Sequence, residues 1–343
     1  AWSSQTPGTT GIGGSETAVV EIASRLAAKG LRVLVLNNCG SEEGEQSGVF
    51  YLDWRRFRSD WKTDTFVAWR MPQEAHAHVQ THEKWLWLHD LNRSELITKQ
   101  NTSPYGKVFG VSAFHAEYLA WVYPFVADKM DSLPNGIEPS RFEGQVEKAK
   151  GRVVWVSSPD RGLIFLLRAW PLIKAAVPEA SLHIFYGWEN IDKLILSGHQ
   201  QLAALKAMVL YEMKGLRDVE WRGRVSQKQL AQEFMAAEVW AYPTNFVETS
   251  CISAVEAMAG GAVPVTSALG NIPNIVGDAG FLISGHPSSE SYKRRFVGAA
   301  VAALTIPEVG ERFRAMGKER AHEFTWDKAT DVWLATLREK VVA

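Results

Sequence analysis

The chain has 343 residues, 46% apolar and 22% charged, with 37 basic against 38 acidic side chains. That balance excludes a global field drawing the chain onto nucleic acid or an anionic membrane, and leaves ample apolar material for two hydrophobic cores. No apolar run reaches the roughly 18 residues of a membrane span, no basic-then-apolar leader opens the chain, and the far-apart Cys39 and Cys251 form no metal or redox motif, which suits a reducing, cytoplasmic setting.

Ala1–Gly8 reads as loop, and Thr9–Gly14 as a glycine-rich lead into a helix over Ser15–Lys29. Val19, Ile22, Ala23, Leu26 and Ala27 recur there at helical spacing, and Gly30 stops the run. Leu31–Leu36 follows as a buried strand. A strand normally precedes such a glycine loop. Here none does, so either the first strand lies outside this chain or the sheet lacks it. Strands are predicted at Thr65–Trp69, Lys84–Leu88, Lys107–Val111 and Met130–Leu133, with helices near Gln73–His82 and over Ala113–Trp121. Pro134-Asn135-Gly136 marks a turn, and the polar stretch Glu143–Lys150 reads as an interdomain linker.

A second alternating series begins at Arg152–Ser157. It continues as helix Gly162–Val177, strand Ser181–Tyr186, helix Gln200–Lys214, strand Val219–Arg222, helix Ser226–Ala237 and strand Val239–Tyr242. Helix Ser250–Ala259, strands Val263–Thr266 and Phe281–Ile283, helices Ser291–Leu304 and Pro307–Glu323, and a last amphipathic helix Trp326–Lys340 complete it. The pattern predicts an α/β protein of two doubly wound, Rossmann-like domains, over 1–145 and 146–325, with ligands beyond the carboxyl ends of the strands and a cleft between facing domains as the default site.

The chemistry concentrates in Tyr242–Val265. Glu248 stands in a loop after a strand, Thr249 or Ser250 caps the following helix, and Glu256 lies about two turns along it. Gly260-Gly261 ends that helix. A helix N-terminus with free N–H groups suits a phosphate, and carboxylates beside it accept hydrogen bonds from sugar or ribose hydroxyls. The bland alternative, two solvated glutamates, sits poorly with the apolar neighbours Ala254, Val255, Ala257 and Met258 of Glu256.

The segment resembles the E-x7-E motif of the retaining GT-B glycosyltransferases, in particular family 4 (glycosyl transferases group 1). Thr10–Glu21 resembles that family's first loop and helix, Val111–His115 and Leu133–Phe142 the end of its first domain, and Phe324–Lys328 the start of its last helix. The resemblance implies a GT-B fold, with the helix over 326–343 crossing back to the first domain. It implies transfer of a sugar from a nucleotide-diphosphate-sugar to a glycan, lipid-linked or small-molecule acceptor, with retention of configuration, no metal and no cofactor. Peripheral contact with a membrane stays compatible with that chemistry.

Residue by residue, the resemblance gives Glu248 the donor sugar's hydroxyls and Glu256 the ribose hydroxyls. The N–H groups of Thr249, Ser250 and Cys251 face sugar and diphosphate, and Gly13 and Gly14 bring further amides to the diphosphate. His89, at the end of WLWLH, takes the place of the family's histidine beside the transferred sugar; a buried structural histidine is the alternative. Asp90 either orients that ring or caps the next turn. Arg161-Gly162 stands where the family has Lys-Gly, with arginine able to hold the diphosphate. The family's second cation, earlier in the loop, is replaced by Trp155–Ser158, leaving Arg222 or Arg224 as substitutes or plain surface residues. Asn271 and Asn274 replace the family's Gly-Gly and acidic residues.

Other features carry less. His78 and His82 have a helical i, i+4 spacing that fits two metal ligands, but no third stands in place. Cys251 at a helix N-terminus invites a lowered pKa, yet no base accompanies it. Arg55, Arg56 and Arg58 form a small basic cluster suited to an anionic acceptor or to a solvated loop. A binding module that kept the fold and lost catalysis is the rival reading. A dinucleotide oxidoreductase rests on GIGGSE alone, with Asn37-Asn38 where an acidic ribose ligand is needed.

Overall fold

The computed structural model describes residues 1–9, 11–91 and 94–338. Thr10 of the expected glycine-rich lead and Glu339–Lys340 at the expected end of the last helix lie outside the described residues. The chain divides into two compact units. One holds Ala1–Pro7, Ile12–Gly136 and the segment from Thr325; the other holds Gly8–Gly11 and Ile137–Phe324. The changeover at Gly136–Ile137 precedes the polar stretch read as linker. Lys148 ties that stretch to the second unit, its Nζ donating to the carbonyls of Ala237, Gly260 and Gly261 at 2.6, 3.1 and 2.8 Å.

The first unit contains β1 (Val33–Asn37), β2 (Gly44–Gln46), β3 (Val49–Asp53), β4 (Lys62–Trp69), β5 (Gln80–Trp87), β6 (Lys107–Gly110) and β7 (Met130–Ser132). They form two sheets, β1-β3-β2 and β4-β5-β6-β7, parallel except for β2 against β3. The single doubly wound sheet expected here is therefore in two pieces. Among the described residues no strand precedes the Gly14–Ala28 helix, β1 pairs only with β3, and β4 pairs only with β5. Trp2 spans the gap: its N–H donates to the Asn38 carbonyl beyond β1, and its ring meets Trp69 of β4 edge-on at 5.7 Å. Ala1–Gly8 is not all loop, since Thr6–Thr9 makes one helical turn.

The helix expected near Gln73–His82 is absent. A short 3-10 turn covers Glu74–His78, and β5 starts at Gln80. Pairing of β5 with β4 from Lys62↔Gln80 to Trp69↔Trp87 buries Trp85, Leu86 and Trp87, and that burial outweighs the local helical spacing. The last helix, Trp326–Arg338, packs within this unit, with Trp333 against Trp85 and Trp87 at 5.8 and 4.9 Å.

The second unit contains β8 (Arg152–Val156), β9 (Ser181–Phe185), β10 (Val219–Gly223), β11 (Val239–Tyr242), β12 (Val263–Ser267) and β13 (Phe281–Ile283). They form one parallel sheet in the order β10-β9-β8-β11-β12-β13. The central strands are near-continuous apolar runs, as a sheet covered by helices on both faces requires. Trp155, Trp170 and Trp240 lie wholly inside this core.

Candidate functional site

The chain leaves β8 toward β9 on one side and β11 toward β12 on the other. Strand order reverses between β8 and β11, and the crevice beyond their carboxyl ends is where open α/β sheets bind ligands. Both segments singled out in the sequence emerge there. After β8, a 3-10 turn over Pro159–Arg161 leads into the Leu163–Ala176 helix through Gly162. After β11, Tyr242 leads into the loop of Glu248 and the Ile252–Ala259 helix. Gly162 has φ 110°, and a Cβ on it would stand 2.6 Å from the Pro243 carbonyl oxygen, so the two loops meet backbone to backbone.

Two residues assigned separate roles, Arg161 and Glu248, are in direct contact. Arg161 Nη1 donates to Glu248 Oε1 at 3.1 Å, and the Tyr242 hydroxyl donates to the same oxygen at 2.5 Å. Ser157 Oγ lies 3.2 Å from that hydroxyl, and the guanidinium sits over the Phe246 ring at 4.2 Å. Glu248 is only 4% exposed. Burial opposes the charge on Arg161, but the Glu248 carboxylate, with Tyr242 and Asp160, more than offsets it and holds the pKa above the ordinary arginine value. Burial and the same carboxylate keep Tyr242 protonated, well above the usual phenol range.

The backbone of Glu248 is held from the far side. Asn271 N–H donates to its carbonyl at 2.8 Å, and Gly270, at φ 62°, fits where a Cβ would approach that oxygen to 2.5 Å. Asn274 Nδ2 donates to Asn271 Oδ1 at 3.0 Å. The Asn271 backbone thus braces the Glu248 loop, while the side chains of the two asparagines, noted as departures from the resembled family, bond each other.

The following helix starts later than expected. It spans Ile252–Ala259 with Cys251 at its cap and no side-chain cap bond, so neither Thr249 nor Ser250 caps it. The Ser250 carbonyl instead accepts from Ile252 N–H at 3.0 Å in a tight turn. Burial, then Glu248, pushes the Cys251 thiol well up, opposite to the lowering a helix N-terminus invites. Glu256 is half-buried on this helix, and Gly260-Gly261 ends it.

Arg222 and Arg224 separate clearly. Arg222 bonds Glu220 at 2.8 Å. Arg224 lies over the Tyr186 ring at 4.6 Å, just past the end of β9, and Tyr186 in turn contributes to the field on Arg161.

In the first unit, Gly13 caps the Gly14–Ala28 helix without a side-chain cap bond, and a Cβ on Gly13 would collide with the Glu16 carboxylate. His89 follows β5, 8% exposed, between the rings of Trp87 at 4.4 Å and Trp69 at 6.1 Å. Burial, then the charges of Arg70 and His115, hold its pKa well below the ordinary imidazole value, so the ring is neutral near pH 7. The turn that Asp90 was expected to cap reaches past Leu91, outside the described residues. The Asp90 carboxylate makes a bidentate pair with Arg70 at 2.7 and 2.8 Å. A pocket of about 210 Å³ opens beside it, lined by Arg70, Met71, Leu88, Asp90, Ser94 and Ile97.

The remaining candidates resolve into structure. His78 and His82 fall on a 3-10 turn and a strand, so their helical spacing has no meaning here. Arg55, Arg56 and Arg58 pair with Asp53, Glu43 and Asp60 at 2.7, 2.8 and 2.6 Å. Tyr242, Ser157 and Phe246 were not among the candidates. A tyrosine ending an apolar strand reads as core, and its hydroxyl gains meaning only once β8 and β11 are neighbours.

Two Rossmann-like units, with charged loops gathered at the second unit's switch point, define the GT-B glycosyltransferase fold. Sucrose-phosphate synthase from Thermosynechococcus elongatus superposes with a TM-score of 0.72 over 99% of this chain and 98% of that one, at 16% identity. Anabaena HepE, solved with UDP and glucose, gives 0.70 over 95% and 96%, at 15% identity. Residues 150–297 match the family described as glycosyl transferases group 1, and that segment is a group 1 domain. A D-inositol 3-phosphate glycosyltransferase of Streptomyces griseus subsp. griseus is 36% identical over 132 residues, 36% of this chain and 27% of that protein. The chain spans about a quarter to two fifths of the length of the first curated relatives it matches. Among the described residues no helix is long and apolar enough to cross a membrane.

Proposed function

We propose that the chain transfers a sugar, a hexose in the first instance, from a nucleotide-diphosphate-sugar to a hydroxyl of a glycan, lipid-linked or small-molecule acceptor, with retention and without a metal. The observation that carries this reading is the Arg161–Glu248 pair at the switch point of a group 1 domain. A cation and a buried carboxylate side by side suit a ligand with a diphosphate beside hydroxyls. Anabaena HepE, of the same fold, was solved with such components, UDP and glucose.

In this reading Arg161 stabilises the leaving diphosphate, with Arg224 as the second cation. Amides of Thr249, Ser250 and Cys251, and of Gly13 and Gly14, supply further donors. Glu248 accepts from sugar hydroxyls and Glu256 from the ribose. His89, being neutral, positions the sugar and meets the oxocarbenium-like charge through its lone pair or its carbonyl rather than as an acid. Two buried, unbridged cysteines fit a reducing cytoplasm.

Calorimetry of the protein with UDP-, GDP- and ADP-glucose tests this, followed by product analysis. One donor should bind and be slowly hydrolysed, and Arg161→Ala should lose at least tenfold in affinity. Undiminished affinity in that variant removes Arg161 from the site. Tight donor binding with neither hydrolysis nor transfer would make the chain a nucleotide-sugar-binding module.

A further inference from the structure

We propose that Tyr242 is the positioning residue of Glu248, fixing which carboxylate oxygen meets the donor sugar; this rests on the donor-binding reading above. Both hydrogen bonds to the carboxylate, from the Tyr242 hydroxyl at 2.5 Å and Arg161 Nη1 at 3.1 Å, land on Oε1. Among the described residues Oε2 receives none. One oxygen is saturated by a neutral and a charged donor, and the other is left to accept from a substrate hydroxyl. A carboxylate held by Arg161 alone could rotate and exchange its oxygens. The phenol removes that freedom before the ligand arrives, which lowers the ordering cost of binding.

The phenol is itself fixed. Its ring packs on Trp155 and Trp240, both at 5.0 Å, and Ser157 Oγ engages its hydroxyl at 3.2 Å. Ser157 comes from the loop after β8 and Tyr242 from the end of β11. The hydroxyl chain therefore joins the two strands that flank the switch point and ends on the group facing the sugar. Trp155 Nε1 donates to the Ser157 carbonyl at 2.9 Å, holding that loop in turn. Because the tyrosine stays protonated, its donor role does not depend on pH across the working range.

The test compares affinity for a nucleotide-sugar with affinity for the bare nucleoside diphosphate, measured by calorimetry on the same protein. Tyr242→Phe keeps the ring packing and removes only the hydroxyl. It should cut the preference for the sugar-bearing ligand about tenfold, in line with a lost bond to a charged group, and leave nucleoside-diphosphate affinity within about twofold. A tyrosine that merely fills the core would move neither affinity, or both together. Ser157→Ala loosens the phenol and should lower the same preference about twofold; it remains informative if Tyr242→Phe does not fold. Glu248→Gln calibrates the result. If it abolishes the preference while both hydroxyl variants keep it, Tyr242 is not a positioning residue and the donor-binding reading stands. A wild-type protein that binds no nucleotide-sugar overturns both.

Discussion

The two units solve the same architectural problem with unequal completeness. The second closes one parallel sheet of six strands around a continuous apolar core. The first carries its strands in a three-stranded and a four-stranded sheet, with Trp2 and Trp69 meeting across the gap. Titratable groups divide the same way. Burial lowers the pKa of His76, His89 and His115 in the first unit, where the Arg70–Asp90 and Arg58–Asp60 pairs lie at the surface, whereas the second unit pairs Arg161 with the almost wholly buried Glu248. The second unit is therefore built to hold charge at one spot, and the first to keep imidazoles neutral.

The largest effect that tests this contrast is Trp240→Ala. Trp240 is fully buried in β11, so its removal should cost about 4 kcal/mol and shift the second unit's urea transition, leaving an earlier transition from the first unit in place. One shared transition, displaced as a whole, would show that the units do not unfold separately. Next in size, His89→Ala should retain donor affinity and lower turnover about a hundredfold. Near-normal rates would return the imidazole to a structural role between its two tryptophans and leave only the carbonyl for the sugar.

The third effect is acid lability. A histidine whose folded pKa lies below its free value takes its proton only on unfolding. Its contribution is complete above about pH 6.5 and drains as the pH falls toward 4, where burial holds both His115 and His76. At pH 5 the deeply buried His115 should cost the first unit about 2 kcal/mol, and His76 rather less. Denaturation series at pH 7 and pH 5 measure this. An equal loss in both units would erase the proposed division.

How legible each region was follows from what its residues depend on. The runs RVVWV, VWAY and VPVTS announce covered strands because a doubly buried strand needs little but apolar side chains. Glu248 stood out as a carboxylate in the loop before a helix N-terminus, and Arg161 only through its resemblance to the family's Lys-Gly position. The hairpin β2–β3 went unmarked, since GEQ and VFYLD are short and lean on β1 for partners. His78 and His82 misled because an i, i+4 spacing survives in a segment whose conformation is set by pairing with β4. The Tyr242 hydroxyl and the brace from Asn271 were invisible, because each acts on a residue brought near only by the folded sheet.

Gly162 gives the switch point a further property. With φ 110° and the Pro243 carbonyl 2.6 Å from where a Cβ would stand, it admits no other L-residue without moving the loop beside it. In a saturation library selected for activity, position 162 should read as almost fixed and position 161 as choosing among cations. The first pattern would record lack of room and the second a need for charge, so two adjacent codons would report on independent pressures.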